Sequence, residues 1–160
     1  MSLVALSGVI VASACSSGSA EISQRTDPAT LRVPSQLVGL SVQQEDVAKE
    51  LKRVEKPYVD SVAIFSLRED KLLQATLQVS RFNSLARPGD ADFRGSIIAT
   101  VGSTRPRALT VSDRTVYATS AASQDVFVWF TRNGMFVLSI SNDFPFPRTL
   151  LRRTLDLELA

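Results

Sequence analysis

The chain of 160 residues contains no histidine and a single cysteine, Cys15. Without histidine there can be no Ser-His-Asp or Cys-His catalysis, no imidazole metal ligand and no ordinary near-neutral general base. A single cysteine excludes an intramolecular disulfide and a cysteine-based zinc site. The seven glycines are dispersed and form no phosphate-binding loop. We therefore expect no metal site and no cofactor.

Charge also excludes several classes of function. Eighteen basic and sixteen acidic residues are mixed along the chain and leave a net charge of +2. The densest basic group, Arg148, Arg152 and Arg153, is interpreted as a solvated face, so no nucleic-acid partner is expected. The acidic pairs fall at a turn, Glu69-Asp70, and at a helix start, Asp90 and Asp92, where acids have structural roles. The sequence thus predicts a protein that is not an enzyme.

The N-terminal segment is uncharged and apolar from Met1 to Ala14, and Cys15 follows it directly. Fourteen residues are too few to span a bilayer but suit a signal peptide that ends at small residues. Ala12-Ser13-Ala14-Cys15 resembles the lipobox of bacterial lipoproteins, which implies a lipidated Cys15. The alternative is that residues 3–12 form an interior strand or helix of a cytosolic protein, with Cys15 buried.

Three segments follow from this interpretation. They are a signal peptide at 1–14, a lipidated cysteine with a flexible linker at 15–35, and one globular domain at 36–160. The linker prediction rests on the composition of Ser16–Ala20 and on the lack of periodicity up to Ser35. The protein is then expected to be exported and anchored to the outer face of the cell membrane through Cys15, or secreted if it is not lipidated.

Hydrophobic periodicity divides the globular domain into alternating helices and strands. Helices are predicted from Ser41 to Pro57, from an N-cap at Asp90 to Gly102, and from Pro147 through Thr154. Residues 155–159 fit either period. Strands are predicted at 58–67, 71–82, 108–111, 115–119, 125–131 and 135–141, with Asn133-Gly134 as a primed hairpin turn.

These elements predict an α+β fold in which about three helices pack on a single antiparallel sheet of about six strands. Residues 61–101 and 125–154 suggest two ββα units, in an αββα-ββ-ββα order. Behind a lipobox, this order resembles that of small actinobacterial lipoproteins with a PsbP/Mog1-like α/β/α sandwich. The excess of arginine over the four lysines fits a GC-rich genome. The resemblance implies a binding or assembly module and carries no functional residues over.

Two functions follow as expectations. The first is a lipid-anchored extracytoplasmic binding or accessory module for an apolar ligand, an envelope polymer or a protein partner. The second is a structural subunit of an envelope complex, with the apolar faces of residues 125–141 packed against a partner. An open apolar sheet face would favour the second.

Five residues form the predicted ligand surface. The strand at 71–82 alternates polar and apolar residues, so Gln74, Thr76 and Gln78 share one side and suit uncharged polar groups. Arg81 adds a fork for a carboxylate or phosphate, and Tyr117 is an aromatic neighbour. The alternative is the solvated face of a strand at or near a sheet edge. Trp129, on a strand with two apolar faces, is predicted to be core.

Overall fold

A computed structural model describes residues 31, 33–46 and 57–157 of the chain. These residues contain one antiparallel sheet of eight strands, in the spatial order β1-β2-β3-β4-β8-β7-β6-β5. The strands are β1 Gln36–Leu37, β2 Leu40–Gln44, β3 Val59–Glu69, β4 Leu72–Phe82, β5 Arg107–Val111, β6 Arg114–Ala121, β7 Gln124–Phe130 and β8 Gly134–Ser141.

Two helices follow the longest hairpins of the described chain. Helix α1, Ala91–Ile98, begins at Asp90, whose carboxylate accepts hydrogen bonds from the backbone N–H groups of Asp92 and Phe93. Helix α2, Pro147–Leu155, begins with a proline at its first position, where the missing N–H costs nothing. The cap at Asp90 and the start at Pro147 are confirmed. Helix α1 ends at Ile98, before the predicted end at Gly102.

The two faces of the sheet are covered by different helices. Alternation along the strands puts Leu77, Trp129 and Leu138 on one face, where they pack with Leu150 and Leu155 of α2. Trp129 is fully buried, which confirms its prediction as core. This face is called the α2 face below. Its cluster also contains Leu31, Leu37 and Leu40, which precede β3.

The opposite face, called the α1 face below, is more aromatic. Ile97 and Ile98 of α1 pack on Val126, Val128 and Met135 of the sheet. Half-buried aromatic rings surround this smaller cluster. Tyr58, Phe82 and Phe93 contact one another edge to face, with centroids 5.1 to 6.2 Å apart, and burial raises the pKa of Tyr58 above its usual 10.0. These rings fix α1 to the sheet.

The predicted fold class is wrong in its counts of strands and helices. The described residues form eight strands and two helices instead of about six and about three. The two missed strands are β1 and β2; Ser41, predicted to cap a helix, lies in β2 and pairs with Arg68 of β3. Ser41 and Gln44 have the spacing of a capping box without forming one, because pairing with β3 determines the local structure. The rest of that predicted helix, residues 47–56, lies outside the described residues.

The predicted αββα-ββ-ββα order is wrong at its first element, because the described secondary structure begins with the strands β1 and β2. The hairpins β3–β4 and β7–β8 are each followed by a helix, but α1 and α2 pack on opposite faces of the sheet. The β7–β8 hairpin exists, yet neither Asn133 nor Gly134 has a positive φ. Gly134 is instead a buried first residue of β8, opposite Arg81. The primed turn lies in the β5–β6 hairpin, where Ser112 and Asp113 have φ of 48° and 62°.

The predicted segments 1–14 and most of 15–35 lie outside the described residues. Leu31 is buried and Val33 packs beside it in the α2-face cluster, so the core includes residues before position 36. At the other end, Leu155 closes α2 and Leu157 is buried in the same cluster. None of the helices in the described ranges is both long and apolar enough to cross a bilayer.

Candidate functional site

A cleft of about 540 Å³ opens at one end of the sheet, on the α1 face. It lies where β7 ends and β6 begins, beside the loop that leads from β4 to α1. The lining residues are Pro88, Gly89, Arg94, Arg114, Thr115, Tyr117, Phe130, Thr131 and Arg132.

Two aromatic side chains, Tyr117 and Phe130, connect this cleft to the core. Tyr117 pairs with Val128 of β7 and is half-buried. Its ring meets that of Phe130 edge to face at 6.2 Å, and Phe130 stacks on Phe82 at 6.5 Å. Because Phe82 belongs to the cluster under α1, packing against the core restricts the movement of Phe130 and, through it, of Tyr117. They offer a ligand a rigid apolar surface.

The loop before α1 forms one wall and is held by hydrogen bonds. The Arg94 guanidinium donates from Nη1 to the Pro88 carbonyl at 2.8 Å, which ties the first turn of α1 to the loop. Asp90 donates its backbone N–H to the Arg87 carbonyl. Backbone N–H groups of Phe93 and Asp92, together with Arg87 and Arg94 nearby, lower the pKa of the Asp90 carboxyl below its usual 3.8. Arg94 is therefore preorganised at the cleft.

Two hairpin turns form the other wall. Arg114 and Thr115 begin β6 directly after the Ser112–Asp113 turn. Thr131 closes the β7–β8 turn by donating its backbone N–H to the Gly134 carbonyl at 2.8 Å, and Arg132 follows it. The Asn133 carbonyl accepts a bond from the Phe82 backbone, so this turn is fixed to the end of β4. Arginines from three separate elements thus line one cleft.

The lining residues determine what this cleft can do. They include three arginines, two threonines and a tyrosine, and no acidic residue. Arginine forks match the geometry of carboxylate and phosphate groups, and the hydroxyls add further hydrogen-bond donors. The lining contains no carboxylate, thiol or imidazole that could act as a general base or nucleophile. Across the described ranges, no group of acidic or cysteine side chains is arranged to hold a metal.

Of the five residues predicted from the sequence, Tyr117 lines the cleft. Gln78 lies in the same cross-strand row, through Val137 and Val128. Three strand spacings separate it from Tyr117, about 14 Å. Gln74 and Thr76 lie still farther along β4 and, like Gln78, do not line the cleft.

The two glutamine amides bind neighbouring side chains instead. The amide of Gln78 donates to the Ser80 hydroxyl at 3.4 Å, and that of Gln74 donates to the Glu69 carboxylate at 3.2 Å. Arg81 lies on the opposite, α2 face, since it is offset from Gln78 by an odd number of residues in an unbroken register. The structure therefore does not bring the predicted row together with Tyr117.

The polar row also lies deeper in the sheet than predicted. Strand β4 is paired on both sides, with β3 and with β8, so the prediction of a strand at or near the edge is wrong. The alternation of polar and apolar residues was read as exposure to water. It arises because the two faces of this interior strand differ: Ala75, Leu77 and Val79 are buried in the α2-face cluster, whereas Gln74, Thr76 and Gln78 are half-buried on the α1 face.

The three arginines of the cleft were missed from the sequence. Each stands alone in its own element, at positions 94, 114 and 132, where a basic residue is an ordinary surface residue. The available signal was positional: Arg114 and Arg132 both fall in or next to turns that the sequence did locate. The denser group of Arg148, Arg152 and Arg153 is exposed on α2, as its interpretation as a solvated face requires.

Comparison of the chain with protein-family models, with curated proteins and with solved structures gave no match.

Proposed function

We propose that this domain is a binding module without catalytic activity, which takes an anionic ligand in the arginine-lined cleft. One observation carries the proposal: Arg94, Arg114 and Arg132 come from three elements to line a cleft that contains no acidic residue. Tyr117 and Phe130 add an apolar surface beside them. The ligand class that fits carries a carboxylate or phosphate next to an apolar or planar portion.

We further propose that the module is held at the outer face of the cell membrane by a lipid on Cys15. The support is the Ala12-Ser13-Ala14-Cys15 sequence after an uncharged apolar run. Mass spectrometry of the native protein tests this part by itself. A diacylglyceryl adduct on an N-terminal Cys15 is expected. An intact peptide from Met1 with an unmodified cysteine would contradict it and would leave the cleft unaffected.

The alternative function, a structural subunit, has less support. It requires apolar residues of 125–141 to be open to a partner. In the described chain Val126, Val128 and Met135 are buried beneath α1. Trp129, Phe136, Leu138 and Ile140 are fully buried on the α2 face. Both faces of this hairpin are thus covered within one chain.

Calorimetric titration with citrate and with pyrophosphate tests the proposed cleft. Replacing Arg94, Arg114 and Arg132 together by glutamine is expected to weaken the binding of these anions at least about tenfold, because each charge-assisted hydrogen bond contributes about 1.5–3 kcal/mol.

The matched control replaces Arg148, Arg152 and Arg153 of the exposed α2 surface by glutamine. It changes the net charge by the same amount and is expected to leave affinity within about twofold. Equal losses in the two triple variants, or no binding of either anion by the wild-type protein, would contradict the proposal.

A further inference from the structure

The two edges of the sheet differ in length. At one edge β1 has two residues, whereas β5 at the other edge has five, Arg107–Val111. Within the described ranges, β5 is paired on one side with β6 and has no strand on its other side. An edge strand of this length offers unpaired backbone groups that can pair with another chain.

The register shows which backbone groups face outward. Val111 and Arg114 flank a two-residue turn and pair directly, so pairs along the hairpin alternate between hydrogen-bonded and non-hydrogen-bonded. Ala108 and Thr110 fall at the non-hydrogen-bonded positions. Their N–H and C=O groups therefore point away from β6, toward the open side. The pairing of Tyr117 with Val128 on the far side of β6 agrees with this phase.

The side chains of these residues point toward the cleft side of the sheet. Ala108 is opposite Tyr117 and Thr110 is opposite Thr115, and directly opposed residues share a face. Both Tyr117 and Thr115 line the cleft. Ala108 and Thr110 are small and exposed, so they leave room for larger side chains on a strand placed next to them.

The charges near this edge are mainly positive. Arg107 begins β5, Arg105 precedes it by two residues and Arg114 follows its turn, against one acid, Asp113. Strand alternation puts the Arg107 side chain on the α2 face, opposite to that of Ala108, so on the α1 face the positive charge comes from the cleft arginines. With the cleft arginines beyond β6, this edge suits a negatively charged partner.

We propose that an acidic, extended peptide segment of a partner protein binds by adding an antiparallel strand to β5. Its acidic side chains would lie on the α1 face, beside Ala108 and Thr110 and toward the arginine-lined cleft. Backbone hydrogen bonds to Ala108 and Thr110 supply affinity, and the arginines select acidic sequences. This inference rests on the proposed function and names its ligand class.

The probe is a synthetic peptide of about ten residues that alternates glutamate with threonine, a length that covers a five-residue strand with overhang. In an antiparallel pair, the peptide residues whose N–H groups face β5 are those whose side chains share the face of Ala108 and Thr110. Peptide methylated at its glutamate amide nitrogens should therefore lose binding to the wild-type protein by about tenfold or more. Peptide methylated at its threonine amide nitrogens should bind as the unmodified peptide does.

A variant of the protein tests the same backbone pairing by removing a hydrogen-bond donor from β5 instead of from the peptide. Thr110→Pro removes an outward N–H from an edge strand, where proline is tolerated, and Thr110→Val keeps that N–H with a similar shape. We expect Thr110→Pro to lose the peptide and to keep citrate and pyrophosphate, and Thr110→Val to keep all three.

Several results would overturn the inference. One is that the two methylated peptides bind equally well, or that only the threonine-methylated peptide loses binding. Others are that the Thr110→Pro variant binds the unmodified peptide as tightly as the wild-type protein does, or that the protein dimerises through β5. If the wild-type protein binds the free anions but not the peptide, this inference fails and the proposed function stands. If it binds neither, both fail.

Discussion

The α2 face and the α1 face of one sheet are built in different ways. The described α2-face cluster contains eighteen buried apolar residues, from the β-strands, from α2, from the segments on either side of α2 and from the segment before β3. The α1-face cluster contains five, surrounded by half-buried aromatic rings. Burial of apolar area is the main source of folding free energy. We infer that the α2 face supplies most of the stability, which leaves the α1 face free to hold polar groups and a cleft.

The largest expected effect compares two phenylalanines on opposite faces. Phe136 is fully buried on the α2 face and stacks on Trp129 at 5.0 Å, whereas Phe130 is half-buried in the cleft. Phe136→Ala should lower the free energy of unfolding by about 3–5 kcal/mol, and Phe130→Ala by about 1–2 kcal/mol. Urea denaturation of both variants measures this. Equal costs would contradict the division of roles between the faces.

Two glycines, Gly95 within α1 and Gly102 after it, give smaller effects on stability, and these two effects have opposite signs. A Cβ at Gly102 would collide with the Thr119 side chain, whereas nothing lies near a Cβ at Gly95. Gly102→Ala should therefore destabilise by about 1–3 kcal/mol. Gly95→Ala, inside the helix, should stabilise by about 0.5–1 kcal/mol. Thermal unfolding distinguishes them, and a stable Gly102→Ala variant would show that this close approach is not required.

The smallest effect concerns pH and the cap of α1. Backbone donors at Phe93 and Asp92 hold the pKa of Asp90 below 3.8, so its folded-state pKa is lower than its unfolded one. Its contribution to stability is then complete above the unfolded pKa and is lost as pH falls through the folded pKa. Asp90→Asn keeps an acceptor oxygen but does not titrate.

The free energies of unfolding of wild type and Asp90→Asn should therefore differ by a constant amount above about pH 5 and converge below 3.8. Unfolding curves recorded at several pH values measure this difference. A difference that does not change with pH would show that the Asp90 carboxylate has the same pKa in both states.

Local patterns in the sequence were sufficient for much of the fold. The Asp90 cap and the Pro147 start follow from short-range rules that tertiary contacts left unchanged. The β7–β8 hairpin is present, but its turn is not the primed Asn133-Gly134 turn that the short-range rule predicts. The strand β2, Leu40–Gln44, does not follow from short-range rules, because it forms by pairing with β3 across more than twenty residues of chain. Its helix-like capping signal was weaker than that pairing.

The candidate site was less predictable for a related reason. Tyr117 stood out as an aromatic on a less hydrophobic strand. The arginines at 94, 114 and 132 meet only because the strand order brings the end of β4, the start of β6 and the β7–β8 turn to the same end of the sheet. A sequence without its strand order cannot reveal such a meeting. Polar alternation, by contrast, predicts a site at Gln74, Thr76 and Gln78, which lie on the same α1 face as the cleft but too far along and across the sheet to line it.

Amide chemical shifts test most directly the claim that binding is confined to the cleft on the α1 face. In the ¹⁵N-labelled protein, citrate or pyrophosphate should shift the amides of Gly89, Thr115, Tyr117 and Thr131 and leave those of Arg148, Arg152 and Arg153 unchanged. Those two sets lie at the cleft and on the exposed surface of α2. Shifts centred on α2, spread evenly over all exposed arginines, or absent at saturating anion would contradict the account.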